Sequence, residues 1–239
     1  HLSIRRQRQM CIRDSIIACT LKSGLEYKED WTHPGKVYVC PVPEDLSSTD
    51  QPLMFEVLVE GLTRNHGYYR IQDGERAFAL VSSQDGVYKV TPPHSKGADW
   101  QYEKILDQAT SDATLIDLDE DGQPELLTLS PFHGEDLRVF RLVDGKFVLD
   151  YTYPEKLEFL HAIWSGKIHG QPMVILGHRK GNRDLFALTY DKAQKTYVRQ
   201  ILDEERGPAN VTFIDADDQQ VIVATNRETN EVAMYVLEN

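Results

Sequence analysis

The chain has 239 residues, of which 41% are hydrophobic and 27% charged, and it carries a formal net charge of −12. That balance suits a soluble domain with a core, and its acidic sign excludes general binding to a nucleic-acid backbone. No apolar run approaches the roughly 20 residues a membrane-spanning helix needs, and an all-β unit of this length is commonly one domain.

The first segment, 1–14, reads HLSIRRQRQMCIRD, with four arginines, no turn chemistry and no period. The run from Arg5 to Ser15, RRQRQMCIRDS, resembles a translated sequencing adapter and is set aside as non-native. A basic arm for nucleic acid or anionic lipid is the other reading of such a charge run. Removing its four arginines and one aspartate takes the 26 basic and 38 acidic residues to 22 and 37, a net charge of −15. The native part is then expected to begin near Ser15, with any export signal or anchor upstream of it.

The unit 15–62 holds apolar runs at 15–20, 36–42 and 55–62. Its Cys19 and Cys40 fall on adjacent predicted strands, where a bridge is conceivable. A domain with core enough favours two free thiols in a reducing, cytoplasmic compartment. The unit 63–107 predicts strands at 68–72, 76–82, 87–91 and 100–106. In the unit 108–153, a β-rich run at 113–117 leads into Asp119-Glu120-Asp121-Gly122, where Gly122 is free to take a positive φ. Strands at 124–129 and 137–142 follow, and Asp144-Gly145 marks a hairpin into 146–153. The unit 154–203 repeats the plan at 160–164, 172–176, 185–190 and 196–202. The unit 204–239 has 210–215, 220–225 and 231–237.

Taking His66, Asp112, His161 and Asn210 as equivalent, the steps are 46, 49 and 49 residues (112−66, 161−112, 210−161). A fixed period of this size marks a repeat architecture, and four short strands per unit make one blade of an all-β propeller. The first unit lacks an innermost strand and the last an outer one. This predicts an N-terminally truncated fragment of about four to five four-stranded blades out of six or seven, with Asn239 near the native C-terminus. The closing strand would come from the missing N-terminal region. The motif Asp117-Leu118-Asp119-Glu120-Asp121-Gly122-Gln123-Pro124-Glu125 before LLTL resembles the FG-GAP/VCBS-type repeat, with Glu120 where that family often has Gly. Asp215 to Asp218 match it in part. NHGYY, SPFHG, GHRKG and TNRE are similar to propellers of the aldos-2-ulose dehydratase type.

Asp117, Asp119 and Asp121 at alternate positions, with Glu125 at the ninth, let hard oxygen ligands converge on one cation, so they are candidate Ca²⁺ ligands; a solvated acidic turn is the plain alternative. In a blade, the loop entering the first strand and the loop joining the second and third share one face. That places Asn65, His66, Asp112, His133, His161, His178, Arg179, Asn210 and Arg227 at the axial mouth. Four histidines there, His66, His133, His161 and His178, are candidate ligands for a divalent metal, or His66 and His161 act as general acid and base. Singly, each more often satisfies a backbone hydrogen bond. Cations gathered within an acidic chain point to a small anionic or carbohydrate ligand. The function expected is therefore ligand binding at the mouth. A sugar lyase or dehydratase-like enzyme and a protein-interaction scaffold are the alternatives. The chain contains no GxSxG, GxxxxGK[ST], GxGxxG or HExxH motif.

Overall fold

The structure, a computed structural model, describes residues 15–27, 29–42, 52–74, 76–95, 98–216 and 219–237. The basic segment 1–14, the pair Asp217-Asp218 and Asn239 lie outside the described residues. The described residues form five antiparallel sheets, each built from strands consecutive in sequence. The first is β1 (Ser15–Cys19), β2 (Gly35–Pro41) and β3 (Glu56–Leu62). The second is β4 (Gly67–Asp73), β5 (Arg76–Ser83), β6 (Gly86–Thr91) and β7 (Gln101–Leu106). The third is β8 (Asp112–Ile116), β9 (Glu125–Ser130), β10 (Asp136–Val143) and β11 (Lys146–Thr152). The fourth is β12 (Leu160–Ile168), β13 (Gln171–His178), β14 (Leu185–Asp191) and β15 (Thr196–Asp203). The fifth is β16 (Pro208–Ala216), β17 (Gln219–Asn226) and β18 (Glu231–Val236), with a 3₁₀ turn, η1 (Arg227–Thr229), before β18. Cys19 and Cys40 are free thiols, opposite Val37 and Ile16 on the paired strands.

Alternation along the second strand of each middle sheet decides which neighbour it meets, because successive side chains point to opposite faces. Ala79 and Val81 of β5 join Val37, Val59 and Leu62 of the first sheet. Leu80 between them joins Ala113, Leu126 and Phe140 of the third. One step on, Leu127 and Leu129 of β9 pack with Leu160, Ile163, Val174, Leu176 and Phe186 of the fourth sheet. Ile175 faces Val211, Ile222 and Ala224 of the fifth. Each middle sheet is thus covered on both faces, which is why ELLTL and PMVIL read as unbroken apolar runs rather than clean alternation. Among the described residues the fifth sheet is covered on one face only: Val232, Met234 and Val236 of β18 are 67%, 66% and 56% exposed.

The first strands of successive sheets also touch, β4 against β8, β8 against β12 and β12 against β16. Gly67 permits the first of these contacts. A Cβ there would lie 2.6 Å from the Ser111 carbonyl oxygen and 2.8 Å from the Asp112 Cα. Both are backbone atoms that cannot turn aside. Gly67→Ala is expected to cost about 1–3 kcal/mol, as overpacking does, read from the urea midpoint. Tyr69 of β4 reaches across β8 to β12, where its hydroxyl accepts the Ser165 N–H at 2.6 Å. Thr114 and Ser165 share a hydroxyl hydrogen bond of 2.6 Å beside it.

β12 and β13 are longer than the sequence pattern predicts. Their hairpin closes at Ile168 and Gln171 through His169-Gly170, with φ of 50° and 77°. Two consecutive positive φ values are what a two-residue turn compatible with strand twist demands. The extra residues of β12 are Ser165, Gly166, Lys167 and Ile168; the Trp164 indole overlies Gly166, and only the last of the four is apolar.

Candidate metal centre

Three histidines from three sheets meet at one end of the molecule. His66 stands in the loop before β4, where its backbone N–H donates to Ser82 O at 3.0 Å. His133 occupies the tight loop between β9 and β10 with φ 51°, and its N–H donates to Ser111 Oγ at 3.4 Å. His161 lies near the start of β12, where the register with β13 slips between Leu160 and Ala162. Such a bulge re-aims the side chain it carries. The ring centroids are 5.0 Å apart for His66–His133, 5.1 Å for His66–His161 and 5.4 Å for His133–His161. One ring nitrogen from each lies within 4.8 Å of the other two.

The repeat explains two of the three rings. His66 Nδ1 contacts the Ser111 carbonyl at 3.2 Å, and His161 Nδ1 contacts the Ala209 carbonyl at 2.6 Å. Each carbonyl is at the entry to the next sheet, and a carbonyl can only accept. Nδ1 therefore carries the proton in both rings, and Nε2 is left as a lone pair. This is the arrangement by which a backbone oxygen fixes the tautomer of a metal-binding imidazole. The Nε2 of His133 is buried with no hydrogen-bond partner. Burial, with the neighbouring His66 and His161 rings second, pushes His133 down to about 4. Burial, then His66, pushes His161 down to about 4, and burial lowers His66. Three neutral imidazoles with one nitrogen each this close together could hold a divalent cation and leave it an open position.

The His133 ring is the middle layer of a stack. Phe132 lies 3.9 Å from it on one side and Phe159 4.3 Å on the other, at interplanar angles of 25° and 22°. Arg64 lies over Phe132 at 5.5 Å and over Trp31 at 5.2 Å, and Arg179 lies over Phe159 at 4.5 Å. Trp31, Phe159 and Arg64 are the site residues that sequence reasoning missed. A signal existed for two of them: Arg64 and Phe159 occupy the same place two residues before His66 and His161, and both take positive φ, 50° and 62°. Trp31 comes from an irregular loop with no counterpart in the other units.

Asp112 and Asn210, which share the repeat position of the two histidines, line a cleft of about 600 Å³ with His161, Tyr68, Arg70 and Trp164. Its walls come from β4, β8, β12 and β16. Asp112 accepts the Ala113 N–H at 2.9 Å, and burial pushes it up to about 7.

Three predicted mouth residues stand apart from the cluster. His178 is 3% exposed. Its Nδ1 contacts the Lys180 carbonyl at 2.8 Å and its Nε2 accepts the Asp184 N–H at 3.3 Å, so both ring nitrogens are consumed by the backbone of their own loop. Asn65 turns into the first sheet, where Nδ2 donates to Thr20 O and Lys36 O, each at 3.2 Å. Arg227 opens η1 on the exposed surface. Arg179 is at the mouth but is paired with Glu228 at 2.7 Å.

Asp117, Asp119 and Asp121 also come within 4.8 Å of one another through one oxygen each, close enough to hold a cation. Glu125 departs from that set. It is 1% exposed, accepts the Leu118 N–H at 2.9 Å and faces Arg141 at 3.1 Å. Burial pushes it up to about 7. Arg141 also pairs with Asp119 at 2.7 Å and Asp150 at 3.0 Å, so a calcium ion would compete with a guanidinium. Calcium is therefore expected to raise the melting temperature of Arg141→Met about 2–4 °C more than that of the unsubstituted protein, the size of a ~1 kcal/mol gain in a chain this long. Thermal melts in calcium and in chelator measure the difference. No protein-family model matches the chain, and no curated protein matches it.

Proposed function

We propose that this chain is part of a β-propeller whose mouth holds a divalent transition metal, zinc being the type, on His66, His133 and His161, and that the metal takes a small ligand at its remaining position. The convergence of three neutral imidazoles, two of them held in one tautomer by repeat-equivalent carbonyls, carries the reading. The succession of two-faced sheets and the contact of their first strands support the propeller. The bare apolar face of β18 is the kind of surface a further blade would cover.

Titration of metal-free protein with Co²⁺ tests the metal. One equivalent should bind and produce the visible absorption of a low-symmetry nitrogen-ligated centre. Binding that survives replacement of the histidines would overturn the proposal.

A second reading is enzymatic. Asp112 shares the cleft with His161, and a carboxylate raised towards neutrality is suited to moving a proton at physiological pH. In that case Asp112, rather than His66 or His161, is the proton acceptor, and a lyase or dehydratase acting on a polyhydroxylated substrate is the reaction class. Loss of turnover in Asp112→Asn with unchanged Co²⁺ absorption would support it.

A further inference from the structure

The charges around the three histidines are unequal in their commitments. Arg179 is satisfied by Glu228, with Nε and Nη2 donating to one carboxylate oxygen at 3.0 and 2.7 Å. Arg64, at the other end of the Phe132–His133–Phe159 stack, has no carboxylate within ion-pair distance among the described residues. Among the described residues its side chain makes one hydrogen bond, a long one, Nη1 donating to Gln84 Oε1 at 3.4 Å. Its guanidinium rests on Trp31 and Phe132. Phe132 in turn touches His66 and His133, with centroids at 5.4 and 3.9 Å.

Two apolar rings therefore hold a half-buried cation beside the histidines without neutralising it. A guanidinium so placed keeps its donor edge for a ligand, and its fork matches the two oxygens of a carboxylate. The surrounding chain is acidic, so its long-range field repels an anion; one held here would depend on local partners, the guanidinium among them.

We infer that the ligand taken at the three-histidine centre is a small carboxylate, one oxygen of which meets the metal while the carboxylate is also held by Arg64. This rests on the metal reading above and adds to it the ligand's charge, its chemical class and the residue that selects it. Arg64 is a binding residue in this scheme; the histidines hold the metal.

The test uses Co²⁺-loaded protein titrated with acetate, with acetamide as the neutral isostere, read by the change in visible absorption. Acetate should bind the unsubstituted protein and bind Arg64→Gln about 10-fold or more weaker, the loss expected when one hydrogen bond to a charged group is removed. Acetamide should bind both proteins equally and weakly. The Co²⁺ spectrum before acetate is added reports whether Arg64→Gln keeps its fold and its metal. Normal Co²⁺ absorption with equal acetate affinity in the two proteins would overturn the role of Arg64 while leaving the metal centre standing. Absence of Co²⁺ absorption in the unsubstituted protein would overturn the metal centre and this inference together.

Discussion

Replacing His161 with alanine is expected to weaken divalent-metal binding by more than about 100-fold, because it removes one of the three proposed ligands outright, whereas loss of an outer hydrogen-bond partner alone typically costs 10- to 100-fold. His133→Ala should behave alike. His178→Ala should retain metal binding, since that ring is used up within its own loop. Isothermal titration with Zn²⁺ distinguishes the three. The same substitution has a signature in metal-free protein. A histidine whose folded pKa is lowered to about 4 stays neutral while the unfolded chain, at about 6.5, takes up a proton. Stability is unaffected above pH 6.5 and falls as the pH drops from about 6.5 to about 4, because the unfolded state binds more protons. For the partly exposed His161 ring the loss is on the order of 2–3 kcal/mol. Between pH 7 and pH 4.5 the unsubstituted protein should therefore lose roughly 2 kcal/mol more than His161→Ala in urea unfolding. Equal losses would mean that the ring is hydrated and free to protonate.

Asp184→Ala is expected to destabilise the fold by about 3–5 kcal/mol, the cost of breaking a buried ion pair from one side. Asp184 is 1% exposed. It pairs with Arg199, accepts from Arg199 Nη2, and lies 3.5 Å from His178 Nε2. Arg199 is 14% exposed and covers the Phe186 ring at 4.5 Å. Without the carboxylate, its guanidinium keeps only the exposed Glu155, whose Oε2 accepts from Nη1 at 3.4 Å, as a counter-charge. The network is also incompletely satisfied, with Asp184 Oδ1 and Arg199 Nε buried and unpartnered. Removing both charges, as in Asp184→Leu with Arg199→Met, should recover most of the loss, since apolar replacement of a buried pair is often neutral. Urea denaturation of the single and double variants measures both effects. A double variant no better than Asp184→Ala would show that the pair contributes net stability.

Much of the sheet structure was legible because its signals are local. Strand alternation, Asp144-Gly145 and the unbroken apolar runs of β5, β9 and β13 place most strands within a few residues. The end of β12 was not, because Ser165, Gly166 and Lys167 carry no apolar side chain where backbone pairing continues. The site was legible in position but not in direction. Repeat spacing brought His66, His133 and His161 to one face, yet the same spacing put His178 and Asn65 there too. Spacing fixes where a Cα falls; rotamers and loop hydrogen bonds decide where the side chain goes. Thus the Lys180 carbonyl claims His178, and Thr20 O and Lys36 O claim Asn65. Glu125 fits the spacing of a ligand and is drawn inward by Leu118 N–H and Arg141. The pairing of Asp184 with Arg199 left no trace: Asp184 repeats Asp136, 48 residues earlier (184−136), but the positions 48 and 49 before Arg199 hold Tyr151 and Asp150.

The three imidazoles arrive from sheets two, three and four, and the outer pair is separated by 95 residues of chain (161−66). Their meeting point exists only after those sheets have docked. An ion captured there would form its bonds late, after the folding barrier, and would have to be released before the sheets part. Its imprint should accordingly be kinetic and one-sided, with refolding rates unchanged and the lifetime of the native state lengthened.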